Sequence, residues 1–183
     1  MRGEQIVLTP AAEKLFKSRI SKNDPEANCL PTGVPRIAPY PWRVVQTPTH
    51  IFILYEANIH SYRQIFIDGR KHAPELKTWP SWYGDSIGTW DGDTLVVDTV
   101  GYNDRFWFDA KGLPHSEQLH TVERFMRKDY GNLVVETTII DPESYVKPFK
   151  VSYTAILSPK EDLMEYICQE NNQDVSHLDQ TGR

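Results

Sequence analysis

Short apolar runs separated by turn residues dominate the chain from residue 43 onward. The runs cover residues 51–55, 62–67, 86–90, 94–99, 119–127, 132–140, 149–157 and 163–168. Asp91-Gly92, which separates two of these runs, is the strongest hairpin-turn signal in the chain. The pattern therefore predicts eight or nine antiparallel strands joined mostly by hairpin-like connections.

The first 48 residues carry a different pattern, a short amphipathic helix followed by a proline-rich segment. Residues 9–20 predict the helix, because Thr9 can cap it and Pro10 suits its first turn. Its expected buried stripe consists of Leu15, Phe16 and Ile20. Residues 23–48 contain six prolines, which excludes a regular helix or a central strand there. We expect this segment to be an extended arm lying over the main body.

The predicted fold class is all-β, since no helical period separates the strands and the pattern does not favour βαβ units. An antiparallel up-and-down, calycin- or lipocalin-like β-barrel is the first choice, and a two-sheet β-sandwich is the alternative. The expected organisation is a helix and Pro-rich arm at 1–42, a barrel at 43–170 and a polar tail at 171–183. An eight-stranded barrel has room for one small ligand.

Composition narrows the classes of partner and compartment. The 183 residues include 20 Lys and Arg against 25 Asp and Glu, and this net charge of −5 argues against a nucleic-acid-binding protein. No apolar run approaches 18 residues, so no membrane span is predicted. Residues 1–7 lack the apolar segment of a signal peptide. The protein is therefore expected to be either cytoplasmic or the mature form of a periplasmic or secreted protein.

The two cysteines, Cys29 and Cys168, match no metal-binding spacing and no CxxC motif. One interpretation is a disulfide that joins the N-terminal arm to the last strand, and the other is two buried free thiols in a cytosolic protein. We favour the disulfide, because each cysteine lies at the margin of the expected core. Closing so long a loop contributes about 4–5 kcal/mol on the chain-entropy model.

Four segments together resemble a family of uncharacterised bacterial proteins that usually carry an export signal. The segments are GDSIGTWDGDTLVVDTVGYND, GLPHSEQLHTVERF, DPESYVKPF and EYICQEN, and the similarity runs from about Cys29 to Asp174. The resemblance implies export and a β-rich fold, and it implies no particular reaction. The family pattern often has His at the position of Asp85, so it does not carry over a role for that residue in metal binding or proton transfer.

A pair of carboxylates is the first candidate for chemistry. If the hairpin loop is Asp91-Gly92, Asp85 lies directly opposite Asp98, and two like charges across a ladder repel each other. Protonation of one carboxylate, a cation between the two, or a nearby Arg or Lys would relieve that repulsion and could tune a general acid and base. The alternative, which we favour from sequence alone, places Asp85 in water at a frayed strand end.

Two histidines form the second candidate. Strand alternation puts His120 on one face and Glu123 on the other, while His115 lies in the preceding loop. An antiparallel meander would bring His115 and His120 to the same rim as Asp85 and Asp98. No cofactor is predicted. A divalent metal is the alternative, with His115, His120 and Asp98 as candidate ligands and His72 or Asp85 completing the set. The alternative is that His115 and His120 have no chemical role and are polar residues that pack in the interior or lie on the surface.

Two further groups complete the candidate site. Glu56 ends one strand and Arg63 begins the next, so we expect an ion pair, either inside the barrel against a substrate or, as we favour, on the solvated rim. Aromatic loops either line the mouth of a cavity as a ligand-binding surface or plug the barrel end. The candidate ligand-binding residues are Trp79, Trp82, Tyr83 and Trp107, with Phe106 and Phe108 beside them.

The common nucleotide, phosphate, serine-hydrolase and zinc-protease motifs are absent from the sequence. The preferred hypothesis is an enzyme that uses acid–base chemistry on a small molecule in the barrel cavity, as a lyase, isomerase or hydrolase. Its candidate catalytic residues are His115, His120, Asp98, Asp85, Glu56 and Arg63. The alternatives are a non-catalytic binding protein for an apolar or glycosidic ligand, and a structural module with a filled interior. The oligomeric state is not specified by the sequence.

Overall fold

The computed structural model describes residues 2–3, 5–56, 59, 61–170 and 172. Its strands are β1 (Arg2–Gly3), β2 (Trp42–Gln46), β3 (His50–Tyr55), β4 (Ser61–Phe66), β5 (Asp85–Asp91), β6 (Thr94–Val100), β7 (His120–Arg127), β8 (Asn132–Ile140) and β9 (Phe149–Ile156). Its helices are α1 (Pro10–Ser18) and two short 3₁₀ segments, Ser21–Asn23 and Pro74–Thr78.

The nine strands form one sheet in the order β1-β9-β8-β7-β6-β5-β4-β3-β2. The sheet curls into a half-barrel, which confirms the prediction of an all-β, barrel-like fold with one N-terminal helix. Neighbouring strands are antiparallel except β4 and β5, which share a short parallel ladder. This parallel step arises because residues 67–84 carry the chain back to the end of the sheet at which β4 begins.

Residues 163–168 are not a strand, so the prediction of a last strand there is wrong. Residues 157–164, here called the crossing segment, instead run across the open side of the half-barrel from β9 toward β2. Arg43 of β2 donates to the carbonyl of Glu161 at 3.2 Å, and the amide of Met164 donates to the Glu56 carboxylate at 2.8 Å. These contacts use side chains because a segment that crosses strands cannot pair with them along its length.

The hairpin between β5 and β6 has a different register from the predicted one. Its loop is Gly92-Asp93 rather than Asp91-Gly92. Gly92 has a φ of 59° at the first loop position, where a type II′ turn takes glycine. The predicted pairing of Asp85 with Asp98 across the ladder is therefore wrong, although both side chains stay on the same face of the sheet.

Two apolar clusters form the core. In the first, inward-facing residues of β3, β4, β6, β7 and β8 pack with Val34 and Ile37 of the proline-rich arm, which thus contributes to the core. The second lies where β6 and β8 end and β7 and β9 begin. Its buried members are Tyr102, Phe106, Phe108, Leu119, Ile139, Tyr145 and Phe149. The loop between β6 and β7 therefore fills one end of the half-barrel with aromatic side chains.

Helix α1 begins as predicted, but its expected buried stripe is only partly correct. Thr9 is the N-cap, and its hydroxyl accepts from the amide of Ala12 at 3.3 Å. Leu15 is 44% exposed, whereas Ala12 is the buried residue of the helix. The reason is that the start of the helix is attached to the body, since Thr9 also donates to the carbonyl of Glu143 at 2.7 Å.

Replacing Thr9 by Ala is expected to lower the free energy of unfolding by about 1 kcal/mol, because the helix loses its cap and the link to Glu143 loses a hydrogen bond. Urea denaturation measures the loss. Lys14→Ala, an exposed change within the same helix, is the control and should stay within about 0.5 kcal/mol of the parent protein. Equal losses in the two variants would contradict the capping role.

Cys29 and Cys168 form a disulfide with Cα atoms 5.5 Å apart, which confirms the predicted pairing. Its second cysteine lies beyond the crossing segment rather than in a strand. The bond therefore joins the proline-rich arm to the C-terminal part of the chain. Within that arm, Arg36 makes a bidentate pair with Asp24 at 2.8 and 2.7 Å. The predicted polar tail, residues 171–183, lies outside the described residues apart from Asn172.

Candidate acid–base site

Three ionisable side chains lie on the outer, convex face of the sheet, at the end where β5 and β7 begin. Alternation along β6 buries Val97 and Thr99 on the inner face and so places Asp98 on the outer face. By the same alternation His120 faces outward at the start of β7. Asp85 shares this face at the start of β5. These three acid–base candidates thus lie outside the half-barrel, which corrects the expectation of a cavity site.

A fourth residue, His72, joins the three into a continuous chain of hydrogen bonds. His72 comes from the loop between β4 and β5 and lies between two carboxylates. Its Nδ1 is 2.6 Å from Asp85 Oδ2, and its Nε2 is 2.9 Å from Asp98 Oδ1. The other oxygen of Asp98 is 2.8 Å from His120 Nε2. The order along the chain is therefore Asp85, His72, Asp98, His120, and we call these four residues the outer cluster.

The chemistry of the partners fixes where the protons lie. An ionised carboxylate only accepts hydrogen bonds, so a histidine nitrogen bonded to it must carry a proton. Both nitrogens of His72 face carboxylates, so with both carboxylates ionised His72 is an imidazolium. His120 donates from Nε2, so in its neutral form Nδ1 holds the lone pair. The side chain of His120 is 34% exposed, so the outer cluster ends on an imidazole ring that solvent reaches.

The electrostatics of the outer cluster favour the charged forms of His72 and Asp98. Partial burial alone would lower the pKa of His72, but the hydrogen bonds and charges of Asp85 and Asp98 outweigh it and raise that pKa above its ordinary 6.5. Burial would likewise raise the pKa of Asp98, but the hydrogen bonds from His120 and His72 outweigh it and lower that pKa below 3.8. His72 and Asp98 thus stabilise each other's charged form.

These shifts predict a pH dependence of stability. A raised folded-state pKa means that the contribution of His72 is complete below pH 6.5 and is lost as the pH rises through the raised value. The contribution of Asp98 has the opposite sense, since it is present above pH 3.8 and is lost as the pH falls through the lowered value. Urea unfolding between pH 6 and 9 should show stability falling more steeply in the parent protein than in His72→Gln. Parallel curves would contradict the assignment.

The predicted meeting of His115 with this cluster is wrong. His115 is only 3% exposed and packs in the second core cluster, with ring centroids 3.9 Å from Phe106 and 4.9 Å from Phe108. Its Nδ1 is 3.2 Å from the carbonyl of Ser116, and its buried Nε2 has no hydrogen-bond partner. Burial lowers the pKa of His115 to about 4, which keeps the imidazole neutral. His115 is buried away from the outer cluster because its loop packs aromatic side chains into the end of the half-barrel.

The predicted Glu56–Arg63 pair is also wrong, because Arg63 faces the interior rather than the rim. Arg63 is 1% exposed and its Nη2 lies 2.5 Å from Glu123 Oε2. The guanidinium also donates to Ser86 at 3.0 Å and Thr99 at 2.8 Å. Burial alone would lower the pKa of Arg63, but the charge of Glu123 outweighs it and raises that pKa. Alternation correctly predicts that Glu123 and His120 lie on opposite faces of β7, but it does not predict that Glu123 pairs with Arg63.

The aromatic residues proposed to bind a ligand do not form one surface. Trp107 is buried and lies under the guanidinium of Arg19, 5.0 Å from the ring centroid. Trp82 is partly buried against the second core cluster, whereas Trp79 is 81% exposed. Tyr83 hydrogen-bonds Ser61 at 2.8 Å and packs on the first core cluster. Trp107 and its neighbours therefore fill the end of the half-barrel, as in the plug alternative.

Within the described part of the chain, no three His, Cys, Asp or Glu side chains are grouped as a metal centre. Of the three candidate metal ligands, Asp98 and His120 lie in the outer cluster, whereas His115 lies in the core. None of the described helices is long and apolar enough to cross a membrane.

Comparison with known proteins gives no indication of function, so any functional proposal rests on the geometry of the site. Neither a protein-family model, nor a curated protein, nor a solved structure matches the chain.

Proposed function

We propose that the protein is an enzyme that uses acid–base chemistry on a small organic molecule, with His120 as the residue that transfers the proton. The observation that carries this proposal is the alternation of carboxylates and imidazoles in the outer cluster, which ends on a partly exposed ring. A histidine fixed by a carboxylate is a common general base, since the carboxylate sets the tautomer and stabilises the imidazolium that forms.

Each member of the outer cluster has its own role in this proposal. His120 takes a proton through Nδ1 and later returns it. Asp98 is a positioning residue, because it accepts from His120 Nε2 and holds the ring in the required tautomer. His72 keeps Asp98 ionised through its own positive charge, and Asp85 anchors His72 in place. The interior pair Arg63–Glu123 and the buried His115 take no part.

The reaction class is a lyase, an isomerase or a hydrolase that works through proton transfer. These reactions need a base and an acid at one place, and His120 can serve as both in turn. In a hydrolase His120 would activate a water molecule, whereas in a lyase or isomerase it would remove a proton from carbon. The partial exposure of His120 on the outer face suits a substrate that approaches from solvent.

A panel of small esters, lactones, glycosides and molecules with acidic C–H bonds tests the proposal. Turnover and exchange of substrate protons for deuterium are measured together, so that both hydrolysis and proton abstraction are seen. His120→Ala should lower kcat at least 100-fold, and Asp98→Asn should lower it while shifting its pH profile. His50→Ala, which removes a histidine outside the outer cluster, is the control. Turnover that survives His120→Ala, or no turnover on the whole panel, would count against an enzyme of this kind.

The proposed compartment is the periplasm or the extracellular space. A disulfide between Cys29 and Cys168 supports this, because such bonds persist in oxidising compartments and are rare in the cytosol. The resemblance to exported bacterial proteins points in the same direction. Thiol titration of protein recovered from each compartment tests it, and two free thiols in the periplasmic form would contradict it.

A further inference from the structure

A large groove lies on the concave face of the sheet, opposite the outer cluster. Its volume is about 1250 Å³, above the usual 300–1,000 Å³ of pockets for small molecules. Its floor is apolar and buried, with Ile51, Ile53, Ile65, Leu95 and Phe125 from four strands. Residues of this kind bind the apolar body of a ligand rather than its polar groups.

The walls of the groove collect many of the large apolar side chains that the described part of the chain exposes. These are Val44, Trp90, Tyr130, Ile156, Leu157 and Met164. Single exposed apolar residues are ordinary, but a group of them around one concavity marks a binding site. Trp90 and Tyr130 are exposed aromatic rings, which suit contact with an apolar body or with an organic cation.

The crossing segment gives the groove its second wall. Leu157 donates its amide to the carbonyl of Gly131, and Met164 donates to Glu56 on the far side. Residues Leu157, Leu163 and Met164 line the groove from this segment. A ligand there would lie between the sheet and the crossing segment, with contacts on two sides rather than on a flat surface.

The charges that line the groove are unbalanced. Four carboxylates, from Glu56, Asp93, Glu161 and Asp162, face two guanidinium groups, from Arg43 and Arg127. Arg43 is paired with Asp162 at 3.0 Å. Arg127 donates to two backbone carbonyls and lies over the Tyr130 ring. The remaining negative charge favours an occupant with a positive group and disfavours a carboxylate.

We infer that the groove binds a small organic cation with an apolar body, which lies on the buried floor while its charged group faces the acidic rim. The ligand class follows from the apolar floor, the exposed aromatic rings and the excess of carboxylates. This site is independent of the proposed enzyme function, because the floor residues and the outer cluster lie on opposite faces of the sheet.

Two probes with the same apolar chain and opposite charge test this inference. Decyltrimethylammonium and decanoate are titrated separately, below the concentrations at which they form micelles, by calorimetry and by tryptophan fluorescence. The cation should bind one per chain, with a Kd at least ten-fold below that of decanoate. Equal binding of the two probes, or tighter binding of decanoate, would overturn the inference.

Variants locate the binding in the groove. Ala155 on β9 lines the groove and has a small side chain. Ala155→Trp should therefore fill part of the groove and raise the Kd of the cation at least ten-fold. Ser152→Trp places the same residue on the outer face of β9 and should leave the Kd unchanged. Unchanged binding by Ala155→Trp would overturn the inference.

A charge change at exposed positions keeps the test decisive if Ala155→Trp does not fold. Asp93→Lys combined with Glu161→Lys should remove or reverse the preference for the cation. Glu75→Lys combined with Glu117→Lys, at exposed positions outside the groove lining, should keep the preference. Sedimentation measures whether the groove instead binds a second copy of the chain. A dimer that persists in decyltrimethylammonium and is dissociated by Ala155→Trp would show this and would overturn the inference.

Discussion

Replacing Glu123 by Ala is expected to lower the free energy of unfolding by about 3–5 kcal/mol, because it leaves the Arg63 guanidinium buried without its counter-charge. Both residues are nearly inaccessible to solvent, so water cannot replace the lost partner. The hydrogen bonds from Arg63 to Ser86 and Thr99 remain, but these neutral hydroxyls do not compensate the positive charge of the guanidinium. Urea denaturation of the oxidised protein measures the loss.

Two further variants separate this effect from a simple loss of packing. Arg63→Met combined with Glu123→Leu removes both charges and fills similar space, so it should lose less stability than Glu123→Ala. Lys150→Ala removes a surface pair with Glu136 at 2.8 Å and should cost less than about 1 kcal/mol. A double variant as unstable as Glu123→Ala, or more so, would contradict the account of a buried, charge-balanced pair.

Removing the disulfide is expected to have an effect of similar size. Cys29→Ser combined with Cys168→Ser frees two positions that are 139 residues apart, and the chain-entropy model gives a loss of about 4–5 kcal/mol for such a loop. The loss arises mainly in the unfolded chain, so the native fold should survive at low temperature. Urea denaturation of the variant and of the oxidised parent measures it.

Reduction provides the matched control for the disulfide. The parent protein in excess reductant should unfold at the same urea concentration as the double Ser variant, whereas the variant itself should not respond to reductant. Before reduction, denatured parent protein should show no reactive thiol. A difference of less than about 1 kcal/mol between oxidised and reduced parent would mean that the bond does not constrain the unfolded chain as proposed.

The strands were predictable from sequence because period-two alternation and turn residues are local signals. The β5–β6 hairpin shows where this stops, since Asp91-Gly92 and Gly92-Asp93 are both acceptable loops and differ by a shift in register. Residues 163–168 have the composition of a strand, but they lie at the end of the crossing segment and just beyond it, and they form no strand. Whether a short apolar run pairs with another strand depends on the tertiary structure, which alternation alone does not contain.

The candidate site was predictable in part for the same reason. Asp98 and His120 follow from alternation and strand order, and the structure brings them within 2.8 Å of each other. The sequence predicts His72 only as a possible metal ligand, because its loop contains no signal that places it over a particular strand. Arg63 and Glu123 were both visible as charged residues on apolar strands. Their pairing requires knowing that the side chain of Arg63 on β4 extends over the inner faces of β5 and β6 to reach β7, which strand periodicity does not give.

Nitrogen-15 NMR of the histidine side chains reports whether Asp98 and His72 hold His120 in the form that a general base needs. At neutral pH we expect His72 to be an imidazolium with both nitrogens protonated, and the neutral form of His120 to carry its proton on Nε2. Asp98→Asn should lower the pKa of His72, since one of its two carboxylate partners loses its charge. A neutral His72, or a His120 with the proton on Nδ1, would contradict the account.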